Sequence, residues 1–230
     1  MRINRFIIPS ISLESGQQNI TDQRVVKQIR LVLRLKPGAT IEIGNGSGEV
    51  VGASVVEVGK DSVVVNIVDA PRQQPDVTLP KIILACAIIK KENFELVVQK
   101  ATELGVATIV PLRTERTIKT NLNFERLNKI ALEAAEQSGR GLVPSIIQTM
   151  TLETFLQSQY CTQPVVWFDT NQEDMPVSIK PTTVCIGPEG GWSDTERTLF
   201  ANHGATCASL GALTLRAETA AIVAVFSSIR

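Results

Sequence analysis

The residues best suited to chemistry lie in two glycine-containing loops in the C-terminal half of the chain. The first is Ile186-Gly187-Pro188-Glu189-Gly190-Gly191, which follows a short apolar run and precedes a helix-capping sequence at 193–196. Glycine lets the backbone approach a ligand closely, and ligands of open α/β sheets bind at the carboxyl ends of strands. This loop is therefore a candidate ligand site, although an ordinary Gly-Pro turn would have the same composition.

The second loop runs from Leu210 to Arg216 and leads into an apolar helical segment. A cation at the start of a helix is disfavoured by the helix dipole, so Arg216 should have a specific partner. The sequence offers Glu218, Glu189 or a bound ligand for that role. The residues alone leave the choice among these three open.

Residue types and spacing exclude several other kinds of chemistry. No Gly-Lys-Ser or Gly-Lys-Thr follows the first loop, so it is not a nucleotide phosphate loop. The chain has one histidine, His203, and four widely spaced cysteines without a CxxC pair. We therefore expect no metal site, and we expect reduced cysteines in a cytoplasmic protein. No apolar run is long enough to cross a bilayer, and the N-terminus does not resemble a secretory signal.

The apolar pattern predicts the elements that must position these loops. Short runs rich in Val and Ile over 40–68 predict strands, and Gly44-Asn45-Gly46-Ser47-Gly48 predicts a hairpin turn between two of them. A basic helix is predicted over 22–35, and three prolines over 70–80 predict a linker. Strands then alternate with helices, which predicts a parallel α/β sheet covered on both faces. These helices are expected at 93–104, 123–138, 194–204 and 217–229.

The charge of the chain is zero in total but unevenly distributed. The 23 basic and 23 acidic residues cancel, which removes any argument from an overall basic field for a nucleic-acid partner. Residues 1–50 nevertheless carry 7 basic and 4 acidic side chains, and residues 81–140 carry 10 and 7. Residues 141–230 carry 4 basic and 8 acidic side chains. Two basic blocks therefore precede an acidic C-terminal part, a distribution that is consistent with RNA contact by the basic blocks.

Five short motifs occur in order along the chain: KATELGV (100–106), PLRTER (111–116), EAAEQSGR (133–140), IGPEGG (186–191) and LRAETA (215–220). Together with RFIIP (5–9) and VLRLKPG (32–38), they resemble the bacterial small-subunit rRNA uridine N3-methyltransferases. This family belongs to the SPOUT class of RNA methyltransferases. The resemblance covers nearly the whole chain, and five ordered motifs are much more specific than any one of them.

The resemblance implies a fold and a set of partners. The fold would be α/β, with a PUA-like β-barrel over 1–72, a linker over 73–80 and a SPOUT methyltransferase domain over 81–230. The C-terminal part of that domain would form a trefoil knot, which general folding rules alone would reject. The implied cofactor is S-adenosylmethionine, and the implied partners are 16S rRNA or the small ribosomal subunit and a second copy of the chain.

The resemblance also implies roles for individual residues. The cofactor would contact Phe168, Thr170, Ile186, Gly187, Pro188, Glu189, Gly190, Gly191, Leu210, Gly211, Leu213 and Leu215. Arg216 could stabilise negative charge on the uracil, while Glu218 and Glu189 could accept its N3 proton or orient Arg216. RNA phosphates would be contacted by Arg5, Arg24, Lys27, Arg30, Arg34, Lys90, Lys91, Arg113, Arg116 and Arg140.

The chain departs from the family pattern at two of these places. Leu213 stands where an arginine is usual, and Gln28 stands where a histidine is frequent. The missing arginine motivates an alternative function, a non-catalytic rRNA-binding protein of ribosome assembly on the same fold. A second alternative is an α/β enzyme that uses another nucleotide. Binding of S-adenosylmethionine separates the methyltransferase from both alternatives.

Overall fold

The computed structural model describes residues 3–78, 81–118, 121–170 and 182–229. Contacts divide the chain into two compact units. Unit 1 comprises Met1–Leu79 and Ala135–Val143, and unit 2 comprises Pro80–Ala134 and Pro144–Arg230. Unit 1 is therefore not one continuous stretch of sequence, because nine residues from the middle of the chain, 135–143, belong to it. Across the described ranges, no helix has the length and apolar character needed to cross a membrane.

Unit 1 contains a six-stranded sheet within its described residues. The strand order is β1-β3-β4-β5-β2, with β6 on β4; β1 and β3 are parallel and the other pairs are antiparallel. Gly44 lies opposite Val50 in the β3–β4 register, which confirms the predicted hairpin turn. The strands are β1 (Asn4–Ile7), β2 (Gly16–Ile20), β3 (Thr40–Gly44), β4 (Glu49–Val58), β5 (Val63–Ile67) and β6 (Arg72–Gln73).

A short helix packs its apolar side chains into the core of this sheet. Helix α1 (Gln23–Lys27) begins after Asp22, whose Oδ1 accepts a hydrogen bond from the backbone N–H of Arg24 at 2.8 Å. A π-helical turn, Gln28–Val32, continues it. The predicted basic helix is confirmed, but it ends before residue 35, and Arg34 adopts a φ of 50°.

The proline-rich segment before unit 2 is structured. Residues Arg72–Gln73 pair with β4, and Pro75–Thr78 form a 3₁₀ turn. Gln74 between them is buried. Residues 72–78 therefore form short structured segments of unit 1, whereas Pro80 lies outside the described residues, and the linker over 73–80 stays a prediction.

Unit 2 is built on a parallel sheet, as the alternating pattern predicts. The strands are β7 (Ile83–Ala87), β8 (Thr108–Arg113), β9 (Ser145–Ile146), β10 (Met150–Thr151), β11 (Val165–Phe168), β12 (Thr183–Ile186) and β13 (Thr206–Ala208). Their order in the sheet is β10-β8-β7-β12-β11-β13, and β9 also pairs with β8. Every pairing in it is parallel across the described residues.

The predicted helices of this part of the chain are confirmed with small shifts at their ends. Helix α5 has the capping box that the sequence predicts, with Ser193 and Glu196 bonding each other's backbone N–H groups. Helix α3 ends before Gly139, which has a positive φ of 78°. Helix α6 packs on α2, β7 and β12. The helices are α2 (Lys91–Glu103), α3 (Phe124–Ser138), α4 (Leu152–Leu156), α5 (Asp194–Asn202) and α6 (Ala217–Ile229).

Candidate functional site

A cavity of about 830 Å³ lies in unit 2 at the carboxyl ends of its strands. This is a usual size for a small-molecule site, and the place is where ligands of parallel sheets bind. Three segments that follow strands line it, at 168–170, 186–192 and 209–218. They include all the residues that the sequence analysis assigned to the cofactor and to catalysis: Phe168, Thr170, Ile186, Gly187, Pro188, Glu189, Gly190, Gly191, Leu210, Gly211, Leu213, Leu215, Arg216 and Glu218.

An aromatic wall supports the first glycine loop. The Trp192 side chain is 1% exposed, and its indole N–H donates a hydrogen bond to the carbonyl of Phe168 at 3.0 Å. Its ring meets Phe200 edge-on with centroids 4.9 Å apart. A Cβ on Gly187 would lie 3.0 Å from Trp192 Cε2 and Nε1, so a side chain at this position would require the indole to shift by a few tenths of an ångström. Sequence reasoning recognised the glycine but missed the tryptophan that packs against it.

An ion pair that the sequence analysis also missed lies at the end of β11. Arg197 Nε donates to Asp169 Oδ2 at 2.8 Å, and the Asp169 side chain is 5% exposed. Both residues line the cavity. The hydrogen bond to Asp169 raises the pKa of Arg197. The available sequence signal was the position of an aspartate directly after a buried strand.

The three residues assigned to catalysis face the cavity from two loops. Glu218 in the first turn of α6 is 8% exposed, whereas Glu189 and Arg216 are exposed. The pKa of the Cys86 thiol is raised to about 12, first by burial and then by the negative charges of Glu189 and Glu218. Both carboxylates therefore lie near Cys86. In the part of the chain that the structure describes, Arg216 forms no ion pair with either carboxylate. Because Arg216 lines the cavity, a ligand stays among the partners that the sequence allows for it.

Two of the basic residues predicted to contact RNA also reach this cavity. Lys90 and Arg116 line it, and Arg116 Nη1 donates to the carbonyl of Gly190 at 2.7 Å. Lys91 and Arg113 are exposed in unit 2 but do not line the cavity. The Lys90 and Arg116 side chains therefore add positive charge to the mouth of a site whose other lining includes acidic residues.

Three arginines that the sequence predicts to contact RNA form ion pairs within unit 1. Arg5 pairs with Glu42 at 2.7 Å and also donates to the Gly139 carbonyl. Arg24 donates to both carboxylate oxygens of Glu136 at 2.9 Å.

Arg140 is 5% exposed and donates to Asp76 at 3.3 Å. Burial lowers the pKa of its guanidinium. The donors of Arg5, Arg24 and Arg140 thus serve partners inside unit 1, and their assignment to RNA stays a prediction.

The remaining basic candidates of unit 1 lie together on one exposed segment. Lys27, Arg30 and Arg34 are exposed around the π-helical turn, between Asp22 and Glu42 where the chain carries no acidic residue. Leu31 is 55% exposed and Val32 is 72% exposed beside them. We name this surface, residues 27–36, the basic tip of unit 1.

Neither the histidine nor the cysteines form a metal site within the described residues. His203 ends α5, with Nε2 3.5 Å from Cys161 Sγ, and it does not line the cavity. All four cysteines are free thiols, and Cys86 and Cys185 are buried. The polar groups that line the cavity are backbone groups, arginine, lysine and carboxylates.

Comparison with protein families matches both units. A family model described as an RNA methyltransferase domain matches residues 77–228, and one described as an RNA methyltransferase PUA domain matches residues 27–68. The chain is 32% identical to the ribosomal RNA small subunit methyltransferase E of Rickettsia conorii, over 98% of this chain and 94% of that protein. It is 28% identical to the protein of the same name in Bacillus subtilis, over 92% and 89% of the two chains.

Solved structures agree with these matches. A methyltransferase from Legionella pneumophila, determined with bound S-adenosylmethionine, has a TM-score of 0.85 and 32% identity, over 98% of this chain and 96% of that chain. A ribosomal RNA small subunit methyltransferase E from Neisseria gonorrhoeae, also bound to S-adenosylmethionine, has a TM-score of 0.86 and 26% identity, over 97% and 95%. The α/β architecture with a PUA-like N-terminal domain is therefore shared with both.

Proposed function

The chain belongs to the ribosomal RNA small subunit methyltransferase E family and is an S-adenosylmethionine-dependent rRNA methyltransferase, and we propose that it methylates N3 of a uridine in 16S rRNA. The observation that carries this proposal is the cavity of unit 2. It brings glycine-rich backbone, an arginine without an ion pair to its neighbouring carboxylates, and two carboxylates to one place. The choice of uridine N3 rests on the five ordered motifs. An rRNA substrate also leads us to propose the cytoplasm as the place of action.

The residues of the cavity fit S-adenosylmethionine. The volume of about 830 Å³ suits a nucleoside joined to an amino acid. Gly187, where a Cβ would lie 3.0 Å from Trp192, and Gly211, with a φ of 114°, let two loops present backbone N–H and carbonyl groups to it. Phe168 and Leu215 supply apolar surface between these loops. When bound, S-adenosylmethionine supplies a methyl group that forms a bond to N3 while its C–S bond breaks and the electron pair goes to sulfur.

Two charged side chains would manage the proton and the negative charge of the uracil. N3 must lose its proton to attack, and the charge spreads onto the neighbouring carbonyl oxygens. Arg216 is the donor we assign to those oxygens, because its guanidinium group lies at the cavity without pairing to Glu189 or Glu218. We assign proton acceptance to Glu218, since the buried first turn of α6 holds it in one place, while Glu189 is exposed.

RNA would be held by exposed cations of each unit. In unit 1 the basic tip presents Lys27, Arg30 and Arg34 to phosphates, and Leu31 and Val32 to an unstacked base. In unit 2 the candidates are Lys90, Lys91, Arg113 and Arg116. The target uridine has to be unpaired or flipped out, because its N3 lies on the Watson–Crick edge.

We further propose that the C-terminal part of unit 2 is threaded as a trefoil knot. The support is the strand order: β13 is at the edge of the sheet beyond β11, while α6 packs on β7 and β12. The chain after β13 must therefore run back across the ends of β11 and β12 to reach the start of α6. A crystal structure tracing the whole segment from β11 to α6 tests this, and an unenclosed path would refute it.

We also propose a homodimer that uses helices α2 and α6. These helices pack together, and Leu96, Ile222 and Val223 leave apolar surface on them that is exposed or half-buried. Light scattering of the purified protein should give twice the chain mass. A glutamate at position 222 should give the monomer mass, and a monomeric wild type would refute the proposal.

Primer extension tests the reaction itself. An N3-methyl group blocks Watson–Crick pairing, so reverse transcriptase should stop at the modified uridine of 16S rRNA from wild-type cells. The stop should vanish when the gene is deleted and return with the wild-type gene. Arg216→Ala should fail to restore it while keeping affinity for S-adenosylmethionine in titration calorimetry. An identical pattern with and without the gene would refute the uridine N3 assignment.

A further inference from the structure

The turn that follows β8 carries Arg116 to the mouth of the cavity. Its ends are joined locally: the Thr114 N–H donates to Thr117 Oγ1 at 3.1 Å, and the Thr117 N–H donates to the Thr114 carbonyl at 3.2 Å. These bonds hold the shape of the turn but do not determine its direction from the strand. Its direction is set by contacts with a segment about eighty residues further along the chain.

The buried carboxylate of Glu196 supplies the first of those contacts. Its Oε2 accepts the Ser193 N–H at 2.9 Å, which completes the capping box of α5. Its Oε1 accepts the backbone N–H of Glu115 at 3.0 Å. A capping box needs only the first of these bonds. The second bond is therefore additional to capping, and it joins the turn after β8 to the start of α5.

Arg116 supplies the second contact. Its Nη1 donates to the Gly190 carbonyl at 2.7 Å, and a Cβ on Gly190 would lie 3.4 Å from Arg116 Cβ and Cδ. The stem of the arginine thus lies along the bare backbone of the glycine loop. The bond to Gly190 uses one of the five N–H groups of the guanidinium, and the residue is exposed. A guanidinium fixed in this way keeps donors available at the cavity mouth.

We propose that Glu196 is a positioning residue that holds Arg116 where it binds a phosphate of the RNA strand entering the cavity. This inference rests on the proposed function, since it concerns the same site. Arg116 is the residue that touches the RNA, and Glu196 acts through it. Without the bond from the Glu115 N–H, the turn after β8 could pivot. Arg116 could then pair with the exposed carboxylate of Glu189, which precedes Gly190 in the glycine loop. Fixing the turn keeps the cation available for phosphate.

Three variants separate positioning from helix stability. Glu196→Ala removes both bonds of the carboxylate. Ser193→Ala removes the other half of the capping box, the bond from the Glu196 N–H to Ser193 Oγ at 3.1 Å, and leaves the bond to Glu115 intact. Ser193 does not line the cavity, so this variant is the matched control for a weakened helix start. Glu196→Gln keeps one acceptor oxygen, so its KM for RNA should lie between those of Glu196→Ala and wild type.

The measurement is initial-rate methyl incorporation into small-subunit rRNA over a range of RNA concentrations. Glu196→Ala should raise the KM for RNA about tenfold, the loss expected for one charge-assisted hydrogen bond. Its kcat and its calorimetric Kd for S-adenosylmethionine should stay within about twofold of wild type. Ser193→Ala should keep the wild-type KM. Arg116→Ala should raise the KM as much as Glu196→Ala, and the double variant should raise it no further.

Two results would overturn the positioning role. One is a raised KM in Ser193→Ala equal to that in Glu196→Ala, which would make the effect one of helix stability. The other is an additive loss in the double variant, because then Glu196 would act independently of Arg116. Counting total methyl groups keeps the test valid if the modified atom is not uridine N3. If wild type incorporates none, the proposed function fails, and RNA affinity by fluorescence anisotropy tests the same variants.

Discussion

Replacing Glu136 by alanine should destabilise unit 1 strongly. The buried carboxylate accepts the backbone N–H of Ile7 at 2.7 Å and both of its oxygens accept from Arg24 at 2.9 Å. Removing one partner of a buried ion pair costs about 3–5 kcal/mol. The Arg24 side chain is 22% exposed and keeps its bond to the Ile7 carbonyl, so part of its charge can be solvated. We therefore expect the lower end, about 3 kcal/mol, and a melting temperature lower by about 6–12 °C.

Chemical and thermal unfolding followed by far-UV circular dichroism measures this loss. Glu133→Ala is the matched control, because Glu133 lies on the same helix, is 51% exposed and sits 4.0 Å from Lys129. Such an exposed pair should be worth less than about 0.5 kcal/mol. Hydrogen exchange at the Ile7 amide should accelerate in Glu136→Ala alone. Equal stability losses in the two variants, with an unchanged Ile7 amide, would refute the assignment of Glu136 to a structural pair.

Other expectations follow from the cavity, the basic tip and the buried thiols. Trp192→Phe leaves the Phe168 carbonyl without its donor and should cost about 2 kcal/mol in urea unfolding; an unchanged midpoint would contradict this. Leu31→Ser should weaken RNA binding about fivefold in anisotropy, with stability unchanged, whereas Val68→Ser, also exposed in unit 1, should bind as wild type. The Cys86 thiol, with a pKa of about 12, stays neutral at pH 10 when folded but ionises near pH 9 when unfolded. The free energy of unfolding should therefore fall between pH 8 and 10, and less so in Cys86→Ala.

The elements of unit 2 could be predicted because their signals are local. The apolar run that becomes β7, the spacing of α2 and the capping box of α5 each lie within about fifteen residues. The two glycine-containing loops that line the cavity could be recognised for the same reason, since each follows a strand. Likewise the five ordered motifs pointed to the family that the comparisons show.

What the sequence left out is contacts between residues that are distant along the chain. Arg5 and Arg24 have the composition of RNA contacts, yet each meets a carboxylate far away in sequence. The segment 71–80 has the composition of a linker, but residues 72–73 pair with β4 as a short strand. No local pattern shows whether a basic side chain has an internal partner.

The chemistry available to this protein was settled by its residue types: one histidine, no clustered cysteines, two glycine loops, and an arginine near two glutamates. Which of those residues meet was decided by the tertiary structure. Parallel strands bring loops that are about twenty residues apart in the chain to one edge of the sheet. There Trp192 packs against Gly187, and Glu196 accepts a hydrogen bond from the turn that carries Arg116. The reason is physical. A hydrogen bond or a close contact depends on distance in space, and sequence reports only distance along the chain.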